Sequence, residues 1–264
     1  MADLEPIDKL KDVLMNATWE AGKIILQYFD GVFKIDHKDG INNLVTEVDK
    51  LAEKKIIEII RAAFPSHTII SEEVGELIKP SDYQWIIDPI DGTVNFAHAI
   101  PICCVSIGLI YNGELLLGAV YNPMMNELFF AEKGKGATLN GSPIKVSANG
   151  DFKTAFLVTG FPYNWPDGAE HPIKVFERLV LEGLPVRRLG SAAIDLCWVA
   201  CGRFDGFWEY NLQPWDVAAG YLIVQEAGGT ITDFDGAAYD VFTKETLATN
   251  GLIHDAMLKV IKKR

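Results

Sequence analysis

One run, Trp85–Thr93 (WIIDPIDGT), restricts the fold of this chain more than any other. Its apolar residues predict a buried β-strand, and Pro89 favours extended geometry at Asp88 and an end to the strand there. Pro89 and Gly92 also suit a compact type I-like turn, which would aim Asp88 and Asp91 at one point. Carboxylates at the end of a buried strand need hydrogen bonds or a cation. The run therefore predicts a divalent metal site next to backbone N–H groups that can hold phosphate.

The bulk composition is that of a globular protein. The chain has 264 residues, of which 49% are hydrophobic and 23% charged, so disordered and fibrous classes are excluded. Its formal net charge of -12 argues against nonspecific nucleic-acid binding over the whole surface. Divalent cations would reverse the sign of the charge in a phosphate site, so the acidity is compatible with a metal enzyme.

The remaining bulk features indicate a cytoplasmic protein. Two pairs of cysteines, Cys103-Cys104 and Cys197/Cys201, have no zinc-finger spacing and do not resemble a secreted disulfide framework. We expect buried free thiols. The acidic start, residues 1–5, does not resemble a signal peptide, and no apolar run is long enough to span a bilayer.

The first half of the chain predicts two helices followed by strands. Apolar residues recur at helical spacing from about Glu5 to Tyr28. A second helix is expected after Thr46, which forms a possible capping box with Asp49 although the usual partner is Glu or Gln. Strands are expected at Thr68–Ser71, at Trp85–Asp88 and through the β-rich stretch Cys103–Val146, with hairpin turns at Asn112-Gly113 and Asn140-Gly141.

The second half alternates strands and helices, which predicts a layered α/β arrangement. The small polar segment 147–151 suggests a boundary between a domain of residues 1–150 and one of residues 151–264. We expect strands near residues 155–159, 186–189 and 206–210, and helices at residues 172–181, 192–201 and 215–227. The last helix is expected to end at Gly228-Gly229.

Other acids follow predicted strand or helix boundaries. Glu72-Glu73 comes after a short strand, and adjacent strand residues point to opposite faces, so at most one of the two should enter a site. The spacing alone favours a solvated acidic loop for this pair. Asp216 opens a helix behind Pro214, where an acid interacts with the positive helix end whether or not it binds metal. Thr93 is either an ordinary N-cap or a hydroxyl that orients water, and the two roles are compatible.

Other segments of the chain do not match the motifs of other phosphate, metal or nucleophile sites. Lys133-Gly134-Lys135-Gly136 has the composition of a phosphate loop, but without a following helix it favours an exposed turn. The histidines do not cluster at metal-ligand spacing. An EF-hand loop starting at Asp88 would need Glu at its twelfth position, where Ala99 stands. The chain also has no D-x-D-x-T, Cys-x5-Arg or G-x-S-x-G signature, so no protein nucleophile is indicated.

Taken together, these segments resemble the inositol monophosphatase family. Trp85–Phe96 (WIIDPIDGTVNF) is similar to its first signature and Trp215–Gly220 (WDVAAG) to its second. Leu44–Asp49 (LVTEVD) matches a third block, and the pair Glu72-Glu73 occupies the expected place before the first signature. The match covers nearly the whole chain in the same order. It implies an α/β (α+β) layered αβαβα sandwich that is also similar to fructose-1,6-bisphosphatase.

The resemblance also implies a metal centre of two or three Mg²⁺ ions. One ion would be bound by Glu72, Asp88 and the backbone carbonyl of Ile90. A second would be bound by Asp88, Asp91 and Asp216, so that Asp88 bridges the two. Cations about 3.5–4 Å apart can activate water and neutralise the leaving oxygen, and phosphoryl transfer needs mainly positioning and charge neutralisation.

Further roles carried over from the family concern water and substrate. Gly92 and Thr93 would hold phosphate through backbone N–H groups, and Thr93, paired with Asp49, would orient the attacking water, with Glu72 also among the catalytic residues. Ala192, Glu209 and Asp216 match substrate contacts. Lys38 and Glu73 would lie next to the metal ligands.

The activity implied is Mg²⁺-dependent hydrolysis of a phosphate monoester, with inositol 1-phosphate as the first candidate. The family also suggests fructose 1,6-bisphosphate, histidinol phosphate or a 3'-phosphoadenosine-type nucleotide as alternatives. It further implies lithium sensitivity and a cytoplasmic homodimer. The competing hypothesis is a regulatory binding protein on the same fold, with a nucleic-acid or transcription partner.

Overall fold

The computed structural model describes residues 5–37, 44–162 and 171–263. Within these ranges the helices are α1 Ile7–Tyr28, α2 Glu47–Ala63, α3 Thr93–Ala97, α4 His171–Leu181, α5 Ala192–Ala200, α6 Pro214–Glu226 and α7 His254–Ile261. The strands are β1 Ile35–His37, β2 Leu44–Thr46, β3 Thr68–Ser71, β4 Gly75–Leu77, β5 Tyr83–Asp91, β6 Cys104–Tyr111, β7 Glu114–Asn122, β8 Glu127–Glu132, β9 Gly136–Leu139, β10 Ser142–Pro143, β11 Leu157–Thr159, β12 Val186–Arg188, β13 Gly206–Tyr210, β14 Thr230–Thr232 and β15 Glu245–Thr249.

These elements form five layers in the order helix, sheet, helix, sheet, helix. An eight-stranded sheet has the order β10-β9-β8-β7-β6-β5-β3-β4, and a five-stranded sheet has the order β12-β11-β13-β15-β14. Helices α1 and α2 cover the outer face of the larger sheet, α5 and α6 lie between the sheets, and α4 and α7 cover the far face of the smaller one. The expected αβαβα sandwich is confirmed.

Strand β5 shows why both faces of the larger sheet must be covered. Its apolar residues alternate, as the two-residue period of a strand requires: Trp85 and Ile87 pack with α1 and α2, whereas Ile86 packs with α5 and α6. All three are at most 1% exposed. A central strand buried on both faces reads as a continuous apolar run, which is the pattern seen in the sequence.

The predicted helices and turns lie close to their observed positions. Thr46 caps α2, and its capping box is complete with Asp49 as the third residue of the helix. Asn112-Gly113 joins β6 to β7 with φ of 49° and 81°, the left-handed pair expected of a tight hairpin turn. Residues 133–135 form the predicted exposed turn between β8 and β9, and Gly136 begins β9. The Gly134 and Gly136 amides donate to the Glu226 carboxylate, both at 2.7 Å.

The predicted domain boundary is not tested. The larger sheet lies within residues 68–143 and the smaller within residues 157–249, in agreement with a change of sheet near residue 150. Helices α5 and α6 of the second half nevertheless pack against both sheets in one shared core. The division into domains of residues 1–150 and 151–264 therefore stays a prediction.

The expected end of β5 at Asp88 is wrong. The strand continues through Pro89 to Asp91, and its pairing with β6 shifts: Asp88 lies opposite Ser106 and Asp91 opposite Cys104. The three-residue interval from Asp88 to Asp91 on β5 thus pairs with a two-residue interval on β6. One extra residue on β5 is a β-bulge rather than a type I-like turn. Proline is tolerated at a bulge because the ladder is already interrupted there.

Candidate metal centre and substrate cavity

The bulge explains how two acids three residues apart reach the same site. In a regular strand, residues i and i+3 point to opposite faces. The extra residue in the bulge restores the phase, so Asp88 and Asp91 lie opposite Ser106 and Cys104, which share one face of β6. The prediction that both carboxylates aim at one point is met, although by a bulge.

The third acid of the cluster comes from the other half of the chain. Asp216 lies in the first turn of α6, where its Oδ2 accepts a hydrogen bond of 2.7 Å from the Gln213 N–H. Carboxylate oxygens of Asp88, Asp91 and Asp216 all lie within 4.8 Å of one another. Asp216 is therefore both a helix-start acid and a member of the cluster.

Asp91 is held by the start of another helix. Its Oδ2 accepts hydrogen bonds from Ser191 Oγ at 2.6 Å and from the Ala193 N–H at 2.7 Å, at the N-terminus of α5, where the helix dipole favours a negative charge. Burial raises the pKa of Asp91 to about 6, against the opposing effect of these donors. The sequence analysis missed Ser191; a serine directly before a helix is its signal.

The cluster is electrostatically unfavourable without a cation. Burial, followed by the charges of Glu72 and Asp91, raises the pKa of Asp88 well above its ordinary value. Burial and then Asp91 do the same to the pKa of Asp216. Buried carboxylates of like charge require compensation. An all-oxygen donor set suits a hard divalent cation such as Mg²⁺, so the residues present fit the metal that the resemblance implies.

The paired acids at the end of β3 separate as expected. Glu72 lines the same cavity as the three aspartates, whereas Glu73 lines a different groove beside α2. At most one of the two was expected to enter the site, and the structure places Glu72 there.

Thr93 connects the cluster to α2. Its Oγ1 lies 3.0 Å from the Ile90 carbonyl oxygen and 3.3 Å from Asp49 Oδ1, and the single hydroxyl proton can serve one acceptor at a time. Asp49 is fully buried, and its Oδ2 accepts from the Thr46 N–H at 2.8 Å. Gly92, rather than Thr93, occupies the N-cap position of α3, so the N-cap alternative for Thr93 is wrong.

The acids line a cavity of about 400 Å³. Gly92, Thr93, Ala192 and Glu209 also line it, so the structure brings together the predicted phosphate and substrate contacts. Its remaining walls include residues 160–162, 210–213 and 215. Lys38 lies outside the described residues.

Glu209 on β13 is a further acid that lines the cavity. It is 9% exposed, and burial, together with the charge of Asp91, raises its pKa to about 8, partly offset by Arg188. A side chain at residue 160 would collide with the Glu209 carboxylate, which explains why glycine stands there.

Two charged residues near Glu209 were also missed by the sequence analysis. Arg188 lines the cavity, and a charged residue at the end of a predicted strand was its only signal. Asp195 in α5 is 1% exposed, and its Oδ1 has no hydrogen-bond partner among the described residues. Burial and then the charge of Glu209 raise the pKa of Asp195 well above its ordinary value.

The fold and the oxygen cluster define a layered α/β protein with a cavity lined by carboxylates that could hold a divalent cation. The sequence profile of the inositol monophosphatase family matches residues 6–264, and the chain belongs to this family. The inositol-1-monophosphatase of Synechocystis sp. is 44% identical over 95% of this chain and 88% of its own length. The Nus factor SuhB of Escherichia coli K12 is 43% identical over 94% and 93%.

A solved structure agrees with this assignment. The crystal structure of the extragenic suppressor protein SuhB from Bartonella henselae has a TM-score of 0.91 and 37% sequence identity, covering 96% of this chain and 98% of that one. In the described part of the present chain, no helix combines the length and apolar character needed to cross a bilayer.

Proposed function

We propose that this protein hydrolyses phosphate monoesters with Mg²⁺, and that inositol 1-phosphate is its preferred substrate. The observation that carries the proposal is the convergence of Asp88, Asp91 and Asp216, whose carboxylate oxygens lie within 4.8 Å of one another and line a cavity of about 400 Å³. Asp88 and Asp91 on β5 and Asp216 on α6 gather three carboxylates in one place, and a bound cation would offset their repulsion.

The proposed ligands divide between two Mg²⁺ ions, with a third as a further possibility. Glu72, Asp88 and the Ile90 carbonyl would hold one ion, and Asp88, Asp91 and Asp216 the other. When bound, the ions would supply charge neutralisation and a lowered pKa for water. Ile90 can serve as a ligand while accepting from Thr93, because a carbonyl oxygen has two lone pairs.

The protein's own groups would orient the reactants. When Thr93 donates its proton to Asp49, its hydroxyl oxygen can accept a hydrogen bond from water and so fix the direction of a lone pair toward phosphorus. The backbone N–H groups of Gly92 and Thr93 would hold phosphate oxygens. No group of the protein needs to form a covalent intermediate.

Glu209 and Ala192 are the proposed contacts to the alcohol part of the substrate. With its pKa raised to about 8, the Glu209 carboxyl is mostly protonated at neutral pH and can both donate to and accept from hydroxyl groups. This favours a polyol phosphate. Fructose 1,6-bisphosphate, histidinol phosphate and 3'-phosphoadenosine-type nucleotides are the alternative substrates.

The test is phosphate release from a panel of these compounds with Mg²⁺, with and without EDTA. We expect turnover that EDTA abolishes and that Asp91→Asn lowers by about a thousandfold or more, since the substitution removes one ligand charge. Glu226→Gln, at the opposite end of the helix that carries Asp216, serves as the control and should retain turnover. Wild-type turnover by Asp91→Asn would remove Asp91 from the ligand set.

A second candidate function is regulatory binding, because the 43%-identical E. coli relative is called a Nus factor. A pull-down beside the substrate panel discriminates the two functions. Absence of phosphate release from every compound, together with capture of transcription components, would favour regulatory binding.

The phosphatase proposal also includes a cytoplasmic homodimer and inhibition by lithium. Sedimentation would check the dimer, and a lithium titration would check the inhibition.

A further inference from the structure

Helix α2 carries two buried acids, of which the proposed mechanism uses one. Asp49 and Glu53 are separated by one helical turn and therefore lie on the same face; they are 0% and 2% exposed. Asp49 contacts Thr93. Glu53 takes no part in the cluster of aspartates, yet a buried carboxylate is costly unless its oxygens are hydrogen-bonded.

Within the described residues, the Glu53 carboxylate accepts its hydrogen bonds from the segment that carries Glu72. Its Oε1 accepts from Ser71 Oγ at 2.5 Å, from the Glu73 N–H at 3.0 Å and from the Val74 N–H at 3.1 Å. The donors lie on both sides of Glu72 in the sequence. The Glu72 N–H itself donates to the Ile87 carbonyl on β5 at 3.2 Å. The backbone at Glu72 is thus fixed from α2 and from β5.

The orientation of this segment decides which acid enters the cavity. Glu72 lines the cavity, and its charge contributes to the raised pKa of Asp88. Its neighbour Glu73 lines the groove beside α2. Residues 72–74 form the turn between β3 and β4, so the backbone of this turn decides which acid faces the cavity. The hydrogen bonds that the Glu73 and Val74 N–H groups donate to Glu53 hold that backbone in place.

We infer that Glu53 is a positioning residue that holds Glu72 against the aspartate cluster and so sets the affinity for Mg²⁺. The inference rests on the proposed function, because it assumes that Glu72 is a metal ligand. Hydrogen bonds to a carboxylate are stronger than those between neutral groups. Residues that orient a metal ligand typically change metal affinity by about 10–100-fold when they are removed. Helix α2 then positions the water-orienting Thr93 through Asp49 and the metal ligand through Glu53.

The experiment compares Glu53→Ala and Glu53→Gln with Ile60→Ala. Ile60 is a fully buried core residue of the same helix, so its truncation weakens packing without removing a hydrogen bond to residues 71–74. Calorimetry gives the Mg²⁺ dissociation constant in the absence of substrate. Phosphate release gives the Mg²⁺ concentration for half-maximal turnover and kcat at saturating Mg²⁺.

We expect Glu53→Ala to raise the Mg²⁺ dissociation constant by about 10–100-fold, with a parallel rise in half-saturation and a much smaller loss of kcat at saturation. Glu53→Gln keeps an acceptor oxygen and should recover most of the affinity. Ile60→Ala should lower Tm but leave the dissociation constant unchanged. If Glu53→Ala does not fold, Ser71→Ala removes one of the donors and should give a smaller rise in the same direction.

Two results would overturn the inference alone. One is wild-type Mg²⁺ affinity in Glu53→Ala, or in Ser71→Ala if Glu53→Ala does not fold, while Glu72→Gln weakens binding. The other is an equal loss of affinity in Ile60→Ala, which would make the effect one of general stability. Wild-type affinity in Glu72→Gln would overturn both the inference and the assignment of that ligand. A wild-type protein that neither binds Mg²⁺ nor releases phosphate would overturn the proposed function itself.

Discussion

The hydroxyl of Thr93 joins the acidic cluster to α2. It lies within hydrogen-bond distance of both Asp49 and the Ile90 carbonyl, so its rotamer is held from two directions. A residue that orients water needs such restraint, because the effect of a catalytic group depends on its geometry. The side chain of Asp49 is restrained in turn by the capping box at the start of α2.

We therefore expect Thr93→Val to lower kcat by about a hundredfold or more, since valine preserves the shape but cannot accept a hydrogen bond from water. Thr93→Ser should retain most of the turnover. Steady-state kinetics at saturating Mg²⁺ provides the measurement. Similar rates in the valine and serine variants would show that the hydroxyl does not orient the nucleophile.

Gly160 offers a second residue-level prediction, which concerns the substrate. A methyl group at this position would displace the Glu209 carboxylate, so Gly160→Ala should lower kcat/KM for polyol phosphates by about tenfold. Mg²⁺ affinity should not change, because Glu209 is not in the proposed ligand set. Gly150→Ala is the matched control, as nothing lies within 4 Å of its added methyl group. An unchanged kcat/KM in Gly160→Ala would argue against a role for Glu209 in substrate binding.

At the level of elements, the parts of the fold that depend on local sequence were predictable. The capping box at Thr46 and the Asn112-Gly113 turn are decided by residues within a few positions of each other. The β-bulge was not predictable, because it is a property of the register between β5 and β6. Pro89 correctly indicated an interruption of the β-ladder, because proline has no N–H to donate. The sequence of one strand does not show whether the chain then turns away or continues to pair with its neighbour.

The candidate site shows the same division between local and distant information. The signature residues Asp88 and Asp91 could be identified from their position after an apolar run. The contacts between Asp91 and Ser191, and between Glu53 and Ser71, join positions 100 and 18 residues apart. Neither pair leaves a pattern in one sequence, because each arises from the packing of helices onto the larger sheet.

The turn into α3 gives an element-level prediction at Gly92. Its φ is 89°, and an added methyl group would come within 2.8 Å of the Ile102 carbonyl oxygen. Gly113→Ala, at φ of 81° with nothing within 4 Å, should cost only the left-handed strain of about 1–2 kcal/mol. Gly92→Ala should cost about 1–3 kcal/mol more because of overpacking. Denaturant unfolding of both variants measures the difference, and equal losses would show that the crowding is relieved.

At the scale of the whole molecule, the middle helical layer supplies the site from both sides. Helices α5 and α6 lie between the two sheets, and each begins at the acidic cluster: α5 through Ser191 and Ala193, and α6 through Asp216. The positive ends of two helices thus face the carboxylates. This arrangement lets distant segments of the chain build one centre, and it partly offsets the charge gathered there.

The remaining repulsion predicts how stability depends on pH. The pKa of Glu209 is raised to about 8, and the pKa values of Asp88 and Asp216 are raised well above their ordinary values. The folded protein therefore binds more protons than the unfolded chain, and the free energy of unfolding falls as pH rises through this range. Burial lowers the pKa of His67 and of His254, so the unfolded chain binds more protons at these two groups than the folded protein does. The histidines therefore make the free energy of unfolding rise with pH, but only below about pH 6.5, the ordinary pKa of histidine.

Between pH 6.5 and 8.5 these acids should dominate the slope. The cysteine thiols, whose pKa values burial also raises, should add to the fall near the upper end, because thiols of the unfolded chain begin to ionise there. In EDTA, we expect the free energy of unfolding to fall by a few kcal/mol across this interval. Saturating Mg²⁺ should reduce the fall, because the cation binds the deprotonated carboxylates and its binding releases protons. Denaturant melts at several pH values, with and without Mg²⁺, measure both slopes.

Glu209→Gln should remove part of the slope in EDTA and leave the response to Mg²⁺, since Glu209 lies outside the proposed ligand set. A metal-free protein that becomes more stable over this interval would show that these buried acids carry their charges without a penalty, and the argument for a cation at the cluster would lose its basis.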